Sequence, residues 1–219
     1  MTPQAAGFDV VCFDCDSTLS RVEGIDELAR RAGVEQEVAP LTEAAMAGEL
    51  ALDAVYGRRL DLVRPDRVSL DWLAGLYMDE MVPGAVEALE RLRGAGKDVH
   101  IVSGGLRQAI LPLAERLGVE AGNVHAVDVV LATDGSYADF DRGSPLAHPG
   151  GKAQICRALS EPGRTVALVG DGATDLEARG AGAFIVGFGG VVVRDNVVAG
   201  ADIFVAGPAL TAVLGPLLP

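Results

Sequence analysis

Short apolar runs alternate with longer amphipathic stretches along most of this chain. Four runs are rich in Val, Ile, Leu and Phe, at residues 8–14, 98–105, 165–172 and 183–190. A nearly continuous apolar run of this length is typical of a strand that is buried on both faces of a parallel sheet. We therefore expect four strands of one sheet at these positions.

The stretches between the runs have the periodicity of helices. Over residues 22–32, four apolar residues recur at helical spacing, and Gly33 follows as a C-terminal stop. Charged, helix-like sequence continues to about residue 80, and further helices are expected over residues 84–93 and 106–117, from 151 onward and after 172. Pro112 is expected to kink or shorten the helix that contains it.

Two shorter apolar segments, 124–130 and 137–140, flank Asp134 and Gly135, a pair that is typical of a hairpin turn. Elsewhere strands alternate with helices, which indicates an α/β fold with a parallel sheet and right-handed crossovers. The helical sequence after the first strand is much longer than one crossover helix. We therefore expect residues of about 18–82 to form an insertion.

Composition and charge disfavour several classes of protein, including nucleic-acid-binding and membrane proteins. The formal net charge is −13, which disfavours nucleic acid and anionic membranes as partners. No apolar run is long enough for a transmembrane helix, and the N-terminus lacks the pattern of a signal peptide. The chain has three cysteines, and an odd number without a signal peptide indicates reduced thiols in a cytoplasmic protein. Cys12 and Cys15 would point to opposite faces of a strand, so packing is favoured over redox or zinc chemistry.

Polar residues collect where the predicted strands end, the edge at which α/β sheets bind ligands. These residues are Asp14 and Asp16, Ser103, Gly104 and Gly105, Asp171 with Asp175, and Lys152 after two glycines. Asp14 and Asp16 are expected to leave the first strand in the same direction, because side chains alternate along a strand. Neighbouring carboxylates repel each other, and a hard cation such as Mg²⁺ would relieve that repulsion.

The same constellation predicts phosphoryl transfer. Ser103 and the N–H groups of a Gly-Gly turn that enters a helix would form an anion cradle, and Lys152 would add a positive charge for phosphate oxygens. A carboxylate that faces the cradled phosphate can attack phosphorus and form an aspartyl-phosphate. A second carboxylate, if protonated, can protonate the leaving alcohol and later deprotonate water.

Four segments, FDCDSTL, IVSGG, GGK and GDGATD, resemble the successive motifs of the haloacid dehalogenase (HAD) superfamily of phosphotransferases. EGIDELARRAG, AMAGELAL, RRLDLV and AFIVGFGG are similar to the phosphoserine phosphatase family within it. The resemblance covers residues 8–195. It implies a Rossmann-like parallel sheet core of the HAD type, over residues 1–17 and 83–219, with residues 18–82 as a helical cap domain inserted after the first strand.

The resemblance also implies roles for residues of the core. Asp14 would be the nucleophile and Asp16 the general acid/base. Mg²⁺ would bind the side chains of Asp14 and Asp171 and the backbone carbonyl of Asp16, supported by Asp175. The phosphate would be held by the remaining core residues, Ser103, Gly104, Gly105 and Lys152, with Thr174 lining the site.

Three cap residues would select the substrate if the resemblance holds. The expected small-molecule substrate is O-phosphoserine, which would be hydrolysed to serine and phosphate in the last step of serine biosynthesis. Glu23 would contact its ammonium and Arg59 its carboxylate, while Met46 would pack against it. Leu52 stands where relatives often carry Phe, so the apolar wall of the cap is expected to be looser.

Alternative functions remain open at this point. The same machinery would serve another small-metabolite phosphatase, or a phosphotransferase that passes the phosphoryl group to an alcohol such as homoserine. A signalling receiver domain also uses a phosphorylated Asp, but it needs a long-lived phospho-aspartate, and Asp16 would promote turnover. The preference for L- or D-phosphoserine and the oligomeric state, a homodimer included, are not determined by the sequence.

Overall fold

The computed structural model describes residues 7–46, 50, 52–161 and 163–218, without the side chains of residues 43, 45, 46 and 52. The strands are β1 (Val10–Phe13), β2 (Asp98–Leu106), β3 (Val124–Val127), β4 (Val129–Leu131), β5 (Tyr137–Phe140), β6 (Val166–Gly170), β7 (Phe184–Phe188) and β8 (Ile203–Val205). The helices are α1 (Gly24–Ala32), α2 (Glu35–Met46), α3 (Leu52–Val63), α4 (Arg67–Asp79), α5 (Ala85–Gly94), α6 (Arg107–Arg116), α7 (Gly151–Leu159), α8 (Ala173–Glu177), α9 (Asp195–Gly200) and α10 (Leu214–Leu217).

Within these residues, six strands form one sheet in the order β3-β2-β1-β6-β7-β8, and every pairing in it is parallel. The predicted α/β fold with a parallel sheet is therefore confirmed. β4 and β5 form a separate antiparallel hairpin around Asp134 and Gly135, as predicted. The apolar segment 124–130 is not one hairpin strand, however, because its first part forms β3 of the parallel sheet and only its last part lies in β4. The carboxylate of Asp134 stabilises the turn by accepting hydrogen bonds from the backbone and hydroxyl of Ser136.

β1 lies in the middle of the sheet, between β2 and β6. All four of its side chains are buried, as the apolar run predicted, and Cys12 is among them. The chain passes from β1 to β2 on one side and returns to β6 on the other. This reversal of strand order is the position at which open α/β sheets bind ligands, beyond the carboxyl ends of the strands.

Helices α1 to α4 separate β1 from α5 and β2, at the position of the predicted insertion. The two ends of this helical segment are paired: Ser20 forms an antiparallel bridge with Met81, and the N–H of Val82 donates to the carbonyl of Leu19 at 2.9 Å. α4 packs against α6 of the sheet-forming part. The division into a core and a cap domain at residues 17/18 and 82/83 stays a prediction.

The structure corrects the local prediction for the Gly-Gly pair. We expected Gly104 and Gly105 to form a turn that enters a helix at residue 106. They belong instead to β2, whose register against β3 shifts between Val102 and Leu106, and α6 begins only at Arg107. The helix runs through Pro112 to Arg116, so the proline does not end it.

The C-terminal stretch, which lies beyond the resemblance over residues 8–195, extends the sheet. β8 pairs with β7 in parallel, and Leu210, Val213 and Leu217, which follow β8 in the chain, are buried. Among the described residues, no helix combines the length and apolar character that a membrane crossing requires.

Candidate active site

One cavity of about 420 Å³ opens at the carboxyl ends of the central strands. Asp14 directly follows β1, Ser103 lies near the end of β2, and Asp171 directly follows β6. The predicted site residues that line this cavity are Asp14, Asp16, Glu23, Arg59, Ser103, Gly104, Gly105, Lys152, Asp171 and Thr174. Asp175 lies beneath the cavity and is fully buried. The side chain of Met46, at the end of α2, lies outside the described part of the chain.

Three carboxylates form a cluster at the floor of the cavity. Asp14, Asp171 and Asp175 each place one oxygen within 4.8 Å of the others, and all three are buried. Burial and the charge of Asp14 raise the pKa of Asp171 to about 8. Burial likewise raises the pKa of Asp175 to about 6, although Lys152 opposes the shift. A cluster of hard oxygen ligands whose negative charges repel each other fits a divalent cation such as Mg²⁺.

Lys152 reaches this cluster from the start of α7. Its ammonium lies 2.7 Å from Oδ2 of Asp14 and 2.7 Å from Oδ1 of Asp175. Burial alone would lower its pKa, but the two carboxylates outweigh burial and raise it. Gly151, the residue before Lys152, lets the start of α7 pack closely against Pro145, because a Cβ at Gly151 would lie 2.0 Å from the carbonyl oxygen of Pro145. Lys152 is therefore a fixed cation at the floor of the cavity.

Asp16 is separate from the carboxylate cluster. Its Oδ1 accepts hydrogen bonds from the hydroxyl of Tyr77 at 2.6 Å and from the N–H of Gly24 at 3.2 Å. Asp14 and Asp16 line the same cavity, but both residues lie beyond the end of β1 at Phe13, so strand alternation does not set the directions of their carboxylates. Burial, with a further contribution from Asp14, raises the pKa of Asp16 to about 7.

Glu23 lies at the start of α1, above the carboxylates. Its Oε1 accepts a hydrogen bond from the hydroxyl of Ser17 at 2.7 Å and lies 3.5 Å from Nη2 of Arg194. Ser17 has a φ of 52°, a region that non-glycine residues rarely adopt and that often marks a functional turn. Burial, followed by the charge of Asp16, raises the pKa of Glu23 to about 7.

Arg59 projects from α3 into the same cavity. Its Nη1 donates a long hydrogen bond of 3.4 Å to Oγ1 of Thr42, and its buried Nε has no hydrogen-bond partner. Among the described side chains, no carboxylate lies within ion-pair distance of Arg59. Burial therefore lowers its pKa, although neighbouring groups oppose the shift. A buried guanidinium with unused donors is suited to an anionic group of a ligand.

The model of the haloacid dehalogenase-like hydrolase family matches residues 8–181, which is most of the chain. The chain belongs to this family. It is 39% identical to human phosphoserine phosphatase over 191 residues, which cover 86% of this chain and 85% of the human protein.

Solved structures of related proteins have the fold of this hydrolase. A substrate-bound phosphoserine phosphatase complex superposes with a TM-score of 0.82 at 27% identity, covering 95% of this chain and 97% of the other. A phospho-aspartyl intermediate analogue of phosphoserine phosphatase superposes with a TM-score of 0.77 at 27% identity, covering 95% and 98%.

Four residues of the hydrolase's cavity region were not recognised from the sequence: Ser17, Tyr56, Tyr77 and Arg194. Nη2 of Arg194 lies 3.1 Å from Oδ2 of Asp171, and the hydroxyl of Tyr56 donates to the carbonyl of Gly104 at 2.7 Å. Arg194 follows β7 at the same edge of the sheet, so the strand-end argument could have found it. The two tyrosines lie in helices, where no local pattern marks them.

Proposed function

We propose that this member of the family is a Mg²⁺-dependent phosphoserine phosphatase, which hydrolyses O-phosphoserine to serine and phosphate. The observation that carries the proposal is one cavity with a suitable group for each charge of this substrate. Lys152, the end of β2, Glu23 and Arg59 all line this cavity. In the proposal Lys152 and the end of β2 would face the phosphate, Glu23 the ammonium and Arg59 the carboxylate. The similarity to human phosphoserine phosphatase over most of both chains supports the same assignment.

Asp14 acts as the nucleophile in this proposal. It follows the central strand, and its backbone neighbour Cys15 donates an N–H to Oδ1 at 2.7 Å. Lys152 contacts Oδ2, so both oxygens of the carboxylate are oriented before substrate binds. An oriented carboxylate can attack phosphorus and form an aspartyl-phosphate while the alcohol leaves. The phospho-aspartyl analogue of a related phosphatase supports this step.

Asp16 acts as the general acid and then as the general base. Its pKa of about 7 allows it to be protonated when the serine oxygen leaves and to accept a proton from water afterwards. Efficient acid/base catalysts have a pKa close to the working pH. The two aspartates have different partners, which agrees with their different roles: Asp14 contacts Lys152, and Asp16 accepts a hydrogen bond from Tyr77.

The buried carboxylates would hold the metal ion. Side chains of Asp14 and Asp171, the backbone carbonyl of Asp16 and support from Asp175 are the ligand set proposed. When bound, Mg²⁺ would neutralise the carboxylates and the phosphate oxygens and so allow two anions to approach each other. Lys152 and Arg194 contact the same carboxylates.

In this proposal, the helical segment between β1 and α5 determines which phosphomonoester the enzyme selects. Ser103 and the glycines at the end of β2 recognise only a phosphate, which every phosphomonoester carries. Arg59 and Glu23 both lie in the segment between β1 and α5, the proposed cap domain over residues 18–82. The paired ends of this segment, at Ser20 and Met81, support its treatment as a separate unit. Location in the cytoplasm stays a prediction from the cysteine usage.

Phosphate release from a panel of phosphorylated amino acids and sugars tests the proposal. With Mg²⁺ we expect O-phosphoserine to be the best substrate, and excess EDTA should abolish its hydrolysis. Ca²⁺ should restore little activity, because its larger and looser coordination shell would misplace the ligands. Full activity in EDTA, or a sugar phosphate as the best substrate, would contradict the proposal.

The same assay separates hydrolysis from transfer. Adding homoserine or another alcohol should leave the yield of free phosphate unchanged if water is the acceptor. A fall in free phosphate, with a matching gain of phosphorylated alcohol, would identify a phosphotransferase instead. Rapid loss of the phospho-enzyme in water would exclude the receiver domain, which needs a long-lived intermediate.

A further inference from the structure

Tyr77 distinguishes between the two oxygens of the Asp16 carboxylate. Its hydroxyl donates to Oδ1 at 2.6 Å, and the N–H of Gly24 donates to the same oxygen at 3.2 Å. Tyr77 is fully buried on α4, so its ring has no freedom to leave this position without repacking. Oδ1 therefore already accepts two hydrogen bonds, both from the segment between β1 and α5.

The other oxygen of Asp16 faces the end of β2. A Cβ placed on Gly105 would lie 3.5 Å from Oδ2 of Asp16 and 3.2 Å from Oγ of Ser103. Oδ2 is thus beside the residues that are proposed to hold the phosphate. Within the described residues, no donor reaches this oxygen. It is the one that can carry a proton toward a bound phosphomonoester.

Gly24 permits the contact between Tyr77 and Asp16. A Cβ at Gly24 would lie 2.1 Å from the hydroxyl oxygen of Tyr77 and 3.2 Å from Cδ2 of Leu73. Any side chain at this position would have to displace the tyrosine hydroxyl. The sequence thus places its smallest residue opposite one specific hydroxyl group, which indicates that the position of this hydroxyl matters.

We infer that Tyr77 is a positioning residue that directs the catalytic proton of Asp16 to Oδ2, the oxygen that faces the phosphate. The inference rests on the proposed function. As an oxygen of Asp14 bonds to phosphorus and the phosphorus–oxygen bond to serine breaks, Oδ2 gives its proton to the serine oxygen. In the second step Oδ2 takes a proton from water, whose oxygen bonds to phosphorus while the Asp14–phosphorus bond breaks. Tyr77 keeps its own proton in both steps.

The test compares two leaving groups in the metal-loaded enzyme. Tyr77→Phe keeps the buried ring and removes only the hydroxyl. We expect kcat/KM for phosphoserine to fall about 10- to 100-fold, the range expected when a catalytic group is slightly misplaced. Nitrophenyl phosphate should lose less than about 3-fold, because nitrophenolate leaves with little help from a general acid.

Tyr56→Phe is the matched control. It removes a hydroxyl from a second buried tyrosine of the same cavity, which donates to the carbonyl of Gly104 and not to Asp16. Its hydroxyl contacts the strand that is proposed to hold the phosphate, a group that both substrates share, so we expect any loss to be equal for the two substrates. Equal losses for both substrates in Tyr77→Phe would overturn the inference, because they would make Tyr77 a structural residue only.

A second variant tests the same contact from the other side. Gly24→Ala should displace the tyrosine hydroxyl and reproduce the leaving-group pattern, but should add little to Tyr77→Phe, which lacks that hydroxyl. Fully additive losses would contradict the inference. A wild-type enzyme that hydrolyses other alkyl phosphates but not phosphoserine would refute the proposed function alone, and the best alkyl phosphate would then replace phosphoserine in this test.

Discussion

The ammonium of Lys152 lies 2.7 Å from Oδ2 of Asp14, and both side chains are buried. The same ammonium contacts Asp175, so one cation joins two carboxylates that would otherwise repel each other. Lys152 therefore orients the proposed nucleophile, and it also places a positive charge where a phosphate would enter. The stability of the folded protein and the orientation of the proposed nucleophile therefore depend on the same ion pair.

Replacing Lys152 should damage stability and activity together. Lys152→Met leaves buried carboxylates without their cation, and breaking a buried pair in this way typically costs about 3–5 kcal/mol. We expect this loss in the free energy of unfolding in EDTA, and a smaller loss in Mg²⁺, which can replace part of the missing charge. Urea unfolding under both conditions measures the difference.

Lys97 provides the control, because it is the only other lysine of the chain. Lys97→Met changes the same residue type at a half-buried position outside the cavity, where the described residues form no salt bridge with it. Changes away from such pairs are usually within about 0.5 kcal/mol. If Lys152→Met is no less stable than Lys97→Met in EDTA, the ion pair with Asp14 does not contribute to the fold as described.

Asp14→Asn should prevent formation of the covalent intermediate. The amide has nearly the shape of the carboxylate but does not attack phosphorus, so kcat for phosphoserine should fall by roughly 10⁴-fold or more. Mass spectrometry of acid-quenched protein should detect a phosphorylated wild type and an unmodified variant. Asp128→Asn, at an exposed aspartate of the loop after β3, should behave as wild type. A phosphorylated Asp14→Asn protein would place the nucleophile elsewhere.

Substrate selectivity should divide between Arg59 and Glu23. Removing one partner of a desolvated charge pair typically costs about 2–5 kcal/mol, or roughly 30-fold to several-thousand-fold in kcat/KM. Arg59→Ala should cause such a loss for phosphoserine and a small one for phosphoethanolamine, which lacks the carboxylate. Glu23→Gln should weaken both of these substrates and spare nitrophenyl phosphate, which has no ammonium. If Arg59→Ala lowers all three equally, the arginine is structural.

His125 should make the protein less stable in mild acid. Burial lowers its pKa below its ordinary value of 6.5, and the neighbouring His100, whose Nδ1 lies 3.0 Å from Nε2 of His125, adds to the shift. The unfolded chain therefore binds a proton at this residue more readily than the native protein does. The contribution of neutral His125 to the free energy of unfolding is therefore fully present above the pKa that histidine has in the unfolded chain. It decreases as the pH falls below that pKa, by at most about 1.4 kcal/mol per pH unit.

Urea unfolding of wild type and His125→Gln between pH 8 and pH 5 measures this contribution. The other titrating groups are present in both proteins, so the difference between their free energies of unfolding reports on His125 together with its partner His100. That difference should be constant above about pH 7 and should shift in favour of the variant as the pH falls. A difference that does not change with pH would contradict the assignment.

Much of the fold was predictable because its signals are local. The apolar runs predicted the parallel strands, and Gly33, which adopts a φ of 75°, ends α1 where the sequence indicated. The rule that ligands bind at the carboxyl ends of parallel strands then brought Asp14, Ser103 and Asp171 to one edge. These conclusions need only periodicity and chain connectivity, which the sequence contains.

The directions of side chains beyond the strand ends were less predictable. Strand alternation suggested that Asp14 and Asp16 point the same way, but the chain leaves the strand conformation after Phe13, and alternation no longer applies. In the same way, the Gly-Gly pair remains in β2 because the register of the strand shifts, which depends on its pairing with β3. A local sequence pattern does not show at which residue a strand stops pairing with the adjacent strand.

The sequence by itself therefore determined the class of fold, the edge at which the site lies and the residues of its motifs. Only the tertiary structure decided which helical side chains complete the site. Tyr77 and Asp16 are 61 positions apart, and their hydrogen bond forms because α4 packs against α1 and α6. Helical periodicity shows which face of α4 is buried but not which residue it meets, since that depends on how the helices pack in three dimensions.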